Sequence, residues 1–225
     1  MRQASLKFRR WLAIRRVVHD ALARLLSSSL PAGSAAFVDT EFLCLDIETT
    51  GVDARNASML SVGWVIIRGA RVEMATAESC IVRPPGEVGE SATVHGLTDT
   101  LCEAGEDVAG VLEHLLEVLR GRVLVVHYAG LDKALLDRLC RRHFGAPLLV
   151  PVVDTLALER RARSSRHHLD EQQSLRLSAL RSAYHLPHYS QHDALADAIA
   201  TAELLLAMVA ARGTPQSVRL RDLLS

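Results

Sequence analysis

The chain has 225 residues, 49% hydrophobic and 23% charged, which suits a globular protein with one sizeable core and excludes a disordered or fibrous chain. Formal net charge is zero, yet residues 1–24 hold seven basic groups against Asp20, a net of +6 that leaves −6 for the remainder. That balance argues against non-specific duplex binding by the whole surface, and no apolar run approaches the roughly 18–20 residues of a membrane span.

Residues 6–26 place Leu6, Arg9, Arg10, Ile14, Val17, Val18, Leu22 and Leu25 at near-helical spacing, which predicts one basic amphipathic helix. Ser27-Ser28-Ser29 and Pro31-Ala32-Gly33-Ser34 end it and form a linker, giving an N-terminal unit over 1–36. Such a helix either docks on a partner (a polymerase or other protein, nucleic acid, an anionic membrane surface) or packs on the body with its arginines outward. It has no apolar h-region, so it does not read as a secretory signal, and the cytoplasm is the expected location.

A catalytic body is expected over 37–213. Residues 42–48 read as a strand, and 59–67 and 71–82 as two more joined by a tight turn at Arg68-Gly69-Ala70. Residues 108–119 have helical periodicity. Residues 122–126 and 148–153 read as buried strands, with a helix over 131–144 closed by Gly145 between them. Residues 159–173, rich in Arg, Ser, His and Gln, read as a mobile connection, and 174–184 and 194–211 as helices. Three hairpin-type strands followed by strand–helix–strand–helix predict an α/β fold, a mixed five-stranded sheet flanked by helices. Residues 214–225 read as an ordinary C-terminal tail, although Pro215 to Leu220 faintly resembles a clamp- or polymerase-binding peptide. Cys44, Cys80, Cys102 and Cys140 are widely separated and read as reduced core thiols.

Four acids carry the chemistry. Asp46 and Glu48 follow the apolar run 42–45, and a strand points residues i and i+2 the same way, so two carboxylates lie side by side at the end of a buried strand. A divalent cation is the usual reason to keep such a pair. Asp132 follows the strand 122–126 at the end where α/β proteins build sites. Asp197 lies on a helix of small residues (Ala194, Ala196, Ala198, Ala200, Ala202) whose backbone can approach the sheet closely. Taken alone, Asp132 reads as a helix cap and Asp197 as a solvated residue; with Asp46, Glu48 and His192 they form a set. Two Mg²⁺ or Mn²⁺ ions about 3.5–4 Å apart can clamp the attacking and leaving oxygens of a phosphodiester, and four carboxylates nearly balance their charge. His192, ahead of its helix, suits removal of a proton from water near neutral pH.

The ordered motifs resemble the DEDDh 3′–5′ exonucleases, the DnaQ-like group that includes the proofreading epsilon subunit of bacterial DNA polymerase III, RNase T and oligoribonuclease. Asp46-Ile47-Glu48-Thr49-Thr50-Gly51 is similar to the group's first motif, His127 to Asp132 to its second, and His192-Asp193-Ala194-Leu195-Ala196-Asp197 to its third in the histidine form. Val94-His95-Gly96-Leu97-Thr98 resembles a further segment, and the likeness covers about 37–211. It implies a ribonuclease H-like fold, two metals on Asp46, Glu48, Asp132 and Asp197, and His192 as general base. It also implies that Thr49, Thr50 and Gly51 lie along the 3′-terminal nucleotide, that His95 lies near its sugar or base, and that Asp154 is a structural hydrogen-bonding group. The second motif departs from the group's pattern at Tyr128 and Leu131, on the substrate side, where Tyr128 either stacks on a base or serves as packing.

The activity so implied is hydrolysis at 3′ ends of single-stranded or mismatched DNA, releasing nucleoside 5′-monophosphates. An RNA 3′–5′ exonuclease of the RNase T or oligoribonuclease type is the alternative, since no base-reading motif is visible. A non-catalytic nucleic-acid-binding scaffold would have lost a carboxylate or the base, and none is lost.

Overall fold

The computed structural model describes residues 3–86, 96–165, 174–189 and 192–225. Five strands, β1 Phe42–Thr49, β2 Met59–Arg68, β3 Arg71–Ile81, β4 Val123–Val126 and β5 Val152–Asp154, form one sheet in the order β3-β2-β1-β4-β5. The first three pair antiparallel, while β4 and β5 run parallel to β1, so the sheet is mixed and ribonuclease H-like. The β2–β3 hairpin turns on Gly69 and Ala70, both at φ near +60°, as a two-residue primed turn requires.

The helices are α1 Gln3–Ala13, α2 Asp20–Ser27, α3 Asp99–Glu103, α4 Val108–Leu119, α5 Asp132–Phe144, α6 Thr155–Ser165, α7 Leu177–Ala183, α8 Ala194–Ala210 and α9 Leu220–Leu223. Alternation along β1 splits the core in two. Leu43, Leu45 and Ile47 pack with the α2, α4 and α5 layer. Phe42 and Cys44 pack on the other face with α8, α7 and the C-terminal residues Val218, Leu220 and Leu223. The four cysteines are buried and unbridged.

Several elements differ from the sequence reading. The helix expected over 6–26 is broken: α1 runs into a short 3₁₀ turn at Ile14–Arg16, Val17 is extended, and the His19 ring caps α2 by accepting the Ala21 N–H at 3.3 Å. Two β-branched residues, Val17 and Val18, stand at the break, where the Val18 N–H leaves the helix ladder and donates to Phe144 O at 3.1 Å. Arg10 points inward rather than outward. It is 4% exposed and donates to the carbonyls of Leu25, Leu26 and Ser28, closing the C-terminal end of α2. The strand expected over 148–153 starts only at Val152. β4 is four residues long and Pro151 has no N–H, so Leu148, Leu149 and Val150 are buried without pairing. Residues 159–165 belong to α6 instead of a mobile connection, and 166–173 lie outside the described residues. The helix expected from 174 begins at Leu177. The C-terminal residues pack against the body: Arg219 bridges Ala36, and the Ser225 N–H donates to Val152 O at 3.0 Å.

Candidate active site

The period of two that buries Phe42 and Cys44 under α8 carries Asp46 and Glu48 to the same face. Asp197, in the first turn of α8, meets them there. One oxygen from each of Asp46, Glu48 and Asp197 lies within 4.8 Å of the others. What brings the helix so near is Gly63, opposite Asp46 in the β1–β2 register. A Cβ at Gly63 would stand 2.3 Å from Leu195 N and 2.5 Å from Ala194 C. The expected alanines are half of the close approach, and this glycine is the other half. Glycine inside a strand marks such an approach, and that signal was available in the sequence.

Asp132 reaches the site from the other layer. It is the first residue of α5 and 3% exposed. Pairing of β1 with β4 stops at Cys44↔Val125, so β1 runs on past its neighbour, and the Asp132 carboxylate finds the backbone N–H of Ile47 on that open edge. The four expected acids therefore divide: three share the oxygen cluster and Asp132 flanks Asp46.

Burial, and after it the neighbouring carboxylates, raise all four above the ordinary carboxylate range. Asp46 is held well above it by burial and then by Asp132, Glu48 and Asp197. Asp132 is likewise well above it, by burial and then Asp154 and Glu48, against the lowering effect of its own N–H and that of Ile47. Burial with Asp197 and Asp193 pushes Glu48 up to about 7. Asp197 is raised by burial and lowered in part by the N–H and imidazole of His192. A set of hard oxygen donors that repel one another fits Mg²⁺ or Mn²⁺. At metal–oxygen distances of about 2.0–2.1 Å, ligand oxygens lie up to roughly 4 Å apart, near the spacing found here.

His192 is exposed and stands ahead of α8. Its N–H donates to Asp197 Oδ2 at 2.9 Å, and its φ of +69° is one that a non-glycine residue holds only where the surroundings impose it, at a cost of about 1–3 kcal/mol. Asp193 caps α8 by accepting the Ala196 N–H at 2.8 Å, and its charge bears on Asp46, Glu48 and Asp197. The segment leading to His192 is latched by Arg181, whose side chain is 3% exposed. Its guanidinium donates to Ala200 O and Glu203 Oε2, both at 2.7 Å, and twice to Pro187 O, while lying 4.5 Å from the Tyr189 ring centroid. The Tyr189 hydroxyl closes the set on Glu203 Oε1 at 2.9 Å. Nothing in the local sequence distinguishes Arg181 from a surface arginine.

The other wall is the turn after β4. Tyr128 has φ +87° and is 52% exposed, and its ring covers Gly130, where a Cβ would come within 2.7 Å of it. Asp154 holds this turn: it accepts the N–H groups of Tyr128 (3.2 Å) and Ala129 (2.9 Å), and those of Leu156 (3.0 Å) and Ala157 (3.1 Å) that open α6. The structural role expected for Asp154 is what these bonds describe. Leu131 is half-buried and closes the turn by donating its N–H to Tyr128 O at 3.1 Å. His127 is turned inward between Thr155 Oγ1 (2.8 Å) and Leu175 O (2.9 Å). Burial lowers its pKa, which fits a neutral ring donating from Nε2 to the carbonyl. Beyond β1, the Thr49 hydroxyl donates to Gly51 O at 2.7 Å and Thr50 Oγ1 accepts the Ser58 N–H at 2.9 Å, fixing the turn that holds Thr49, Thr50 and Gly51. His95 lies outside the described residues.

The model of the RNase T exonuclease family matches residues 43–205. Among curated proteins, the PolC-type DNA polymerase III of Thermotoga maritima is 28% identical over 176 residues, 78% of this chain. That of Bacillus subtilis is 25% identical over 202 residues, 86% of this chain. The chain spans 12% and 13% of the length of those two polymerases. Among solved structures, exonuclease X in complex with 5′ overhanging duplex DNA superposes with a TM-score of 0.61 at 19% identity, covering 81% of this chain and 98% of its own. The zinc-bound E. coli ExoI–ssDNA complex superposes with a TM-score of 0.67 at 20% identity, covering 78% of this chain and 41% of its own.

Proposed function

The chain belongs to this exonuclease family, and from that premise we propose that it removes nucleotides from 3′ ends of single-stranded or mismatched DNA as 5′-monophosphates. In this reading Asp46, Glu48, Asp132 and Asp197 hold two Mg²⁺ or Mn²⁺ ions and His192 is the general base. The observation that carries it is the oxygen cluster of Asp46, Glu48 and Asp197, with Glu48 buried, the other two half-buried and all mutually repelling, and with His192 tied to one of its members. DNA is favoured over RNA because the two PolC-type relatives are DNA polymerases, and a cytoplasmic location goes with that.

When bound, the ions supply positive charge to the attacking and leaving oxygens of the phosphodiester. His192 takes the proton from the attacking water as its oxygen bonds to phosphorus; the bond to the 3′ oxygen of the preceding nucleotide breaks, and that oxygen takes a proton from solvent water. The strained backbone at His192 and its N–H bond to Asp197 keep base and carboxylate in one unit. Thr49, Thr50 and Gly51 flank the terminal nucleotide, with His95 near its sugar or base. Tyr128 and Leu131 form the facing wall, where the exposed Tyr128 ring can stack on a base.

The test is turnover of matched DNA and RNA oligonucleotides, labelled at the 5′ end, single-stranded and with 3′ mismatches, in Mn²⁺ and in EDTA. Stepwise shortening from the 3′ end, loss of activity in EDTA, and a 10²–10⁴-fold lower kcat for His192→Ala are expected. Activity that persists in EDTA rejects the metal assignment, undiminished turnover in His192→Ala rejects the base, and a preference for RNA rejects the DNA assignment.

A further inference from the structure

The strongest basic feature lies away from the carboxylates. Where α1 and its 3₁₀ turn cross the C-terminal end of α5, a cavity of about 490 Å³ is lined by Arg9, Arg15, Arg16 and Arg141 around an apolar floor that includes Leu12 and Pro147. No acidic residue lines it among the described residues. The walls are joined backbone to backbone: Val18 donates to Phe144 O at 3.1 Å, and Gly145 at φ +82° lies so close to Arg16 O that a Cβ there would come within 2.5 Å. The carbonyl end of α5 contributes roughly half a negative charge, far less than the arginines that line the cavity.

Two further observations give the cavity a direction and an occupant. A second cavity, of about 270 Å³, shares Arg9 and Leu149 with it and extends to Ala129, before α5, and to the Lys133–Asp137 ion pair (2.6 Å) in its first turns. The two cavities adjoin along α5, from the turn before it to its C-terminal end, and neither is lined by the four site carboxylates. Arg15 also lies 4.0 Å from the ring centroid of Trp11, which is 53% exposed and lines the neighbouring cleft between α1 and α2, so a guanidinium of the cavity stands beside an aromatic surface. Planar guanidinium groups match phosphate oxygens, and exposed aromatic rings accept stacked bases.

We propose that the arginine-lined cavity between α1 and α5 binds the phosphodiester backbone of the single-stranded substrate upstream of the 3′ end held at the carboxylates. This rests on the exonuclease reading. Arg141 follows Asp132 by nine residues of one helix, a span of about 14 Å at 1.5 Å per residue. The duplex rise of about 3.4 Å per phosphate along one strand is the compact limit, so at most about four nucleotides span that distance. A trimer therefore offers the cavity one phosphate at most, and strands of six or more fill it.

The experiment uses the full chain with Arg15, Arg16 and Arg141 changed together to Gln, and a second variant with all three changed to Lys. Binding of 5′-labelled oligo-dT of 3, 6, 12 and 20 nucleotides is read by fluorescence anisotropy in EDTA, and KM and kcat are read in Mn²⁺, across a salt series. Wild type is expected to gain affinity between 3 and 6–12 nucleotides. The Gln variant should lose that gain, with about tenfold or more weaker binding of the 20-mer, unchanged kcat and an unchanged melting temperature. Its log–log salt slope should fall by about 2, since each single-strand phosphate contact contributes about 0.7. The Lys variant should recover most of the affinity. Unchanged 20-mer binding and salt slope in the Gln variant overturn the proposal. So does wild-type binding to phosphatidylserine vesicles that this variant loses while still binding the 20-mer normally. If wild type binds the 20-mer through these arginines but hydrolyses nothing, the exonuclease reading fails and the binding site stands.

Discussion

Replacing Gly63 with Ala tests how the site is assembled. The added Cβ would lie 2.3 Å from Leu195 N and 2.5 Å from both Ala194 C and Leu195 Cα, all backbone atoms that no rotamer change can move aside. Restoring an ordinary separation of about 3.4 Å requires α8 to withdraw by roughly 1 Å. Asp197 rides on the first turn of that helix, and metal–ligand distances tolerate only about 0.2 Å. Overpacking of this kind costs about 1–3 kcal/mol, which for a chain of this size lowers the melting temperature by roughly 2–12 °C. A catalytic misplacement of about 1 Å costs on the order of 10²-fold in turnover. The expected result for Gly63→Ala is a folded protein with kcat reduced about 10²-fold and weaker Mn²⁺ binding by calorimetry. The control is Gly110→Ala in α4, where a Cβ meets nothing within 4 Å; it should raise stability by about 0.5–1 kcal/mol and leave activity alone. Wild-type turnover and Mn²⁺ affinity in Gly63→Ala would refute the argument that close backbone approach sets the cluster.

Asp46, Glu48, Asp132 and Asp197 have folded-state pKa values above their ordinary ones, so each contributes stability that is full below the unfolded value and is lost as pH rises through the folded one. For Glu48 that window runs from about 4.5 to about 7. The metal-free protein should lose this stabilisation as pH rises through about 7, and saturating Mg²⁺ should raise the melting temperature more at pH 8 than at pH 6. Scanning fluorimetry decides it, and an equal or larger metal shift at pH 6 counts against the site. Asp154→Asn places an NH₂ group against one of four backbone donors and should cost about 2–3 kcal/mol in urea denaturation, with lower turnover from a loosened Tyr128 turn. A melt identical to wild type would remove Asp154 from that role. Arg181→Met leaves Glu203 Oε2 and the carbonyls of Pro187 and Ala200 without the guanidinium donor. A loss of about 3–5 kcal/mol is expected, with partial rescue by Arg181→Lys, and unfolding curves of both variants check it.

The pattern of apolar runs, turns and glycines made the five strands, the helices over 108–119 and 194–211, and the αL stop at Gly145 legible, because each rests on local periodicity or a single backbone requirement. Asp46 and Glu48 could be placed on one side of a strand for the same reason. Which side could not, since nothing in residues 42–48 says that α8 covers the face of Phe42 and Cys44 while α5 covers the other. The tertiary structure alone decided that Asp197 joins the oxygen cluster directly and that Asp132 reaches Asp46 around the open edge of β1. It alone turned Arg10 inward, where the carbonyls ending α2 needed a donor, and buried Arg181 behind the His192 segment. In both arginines local sequence looks like solvated surface, and only long-range packing supplies the partners that make burial of a charge tolerable. Periodicity is a property of neighbours in the chain and can be read there; the meeting of two layers is set by the total packing of the core, and appears only when the chain is folded.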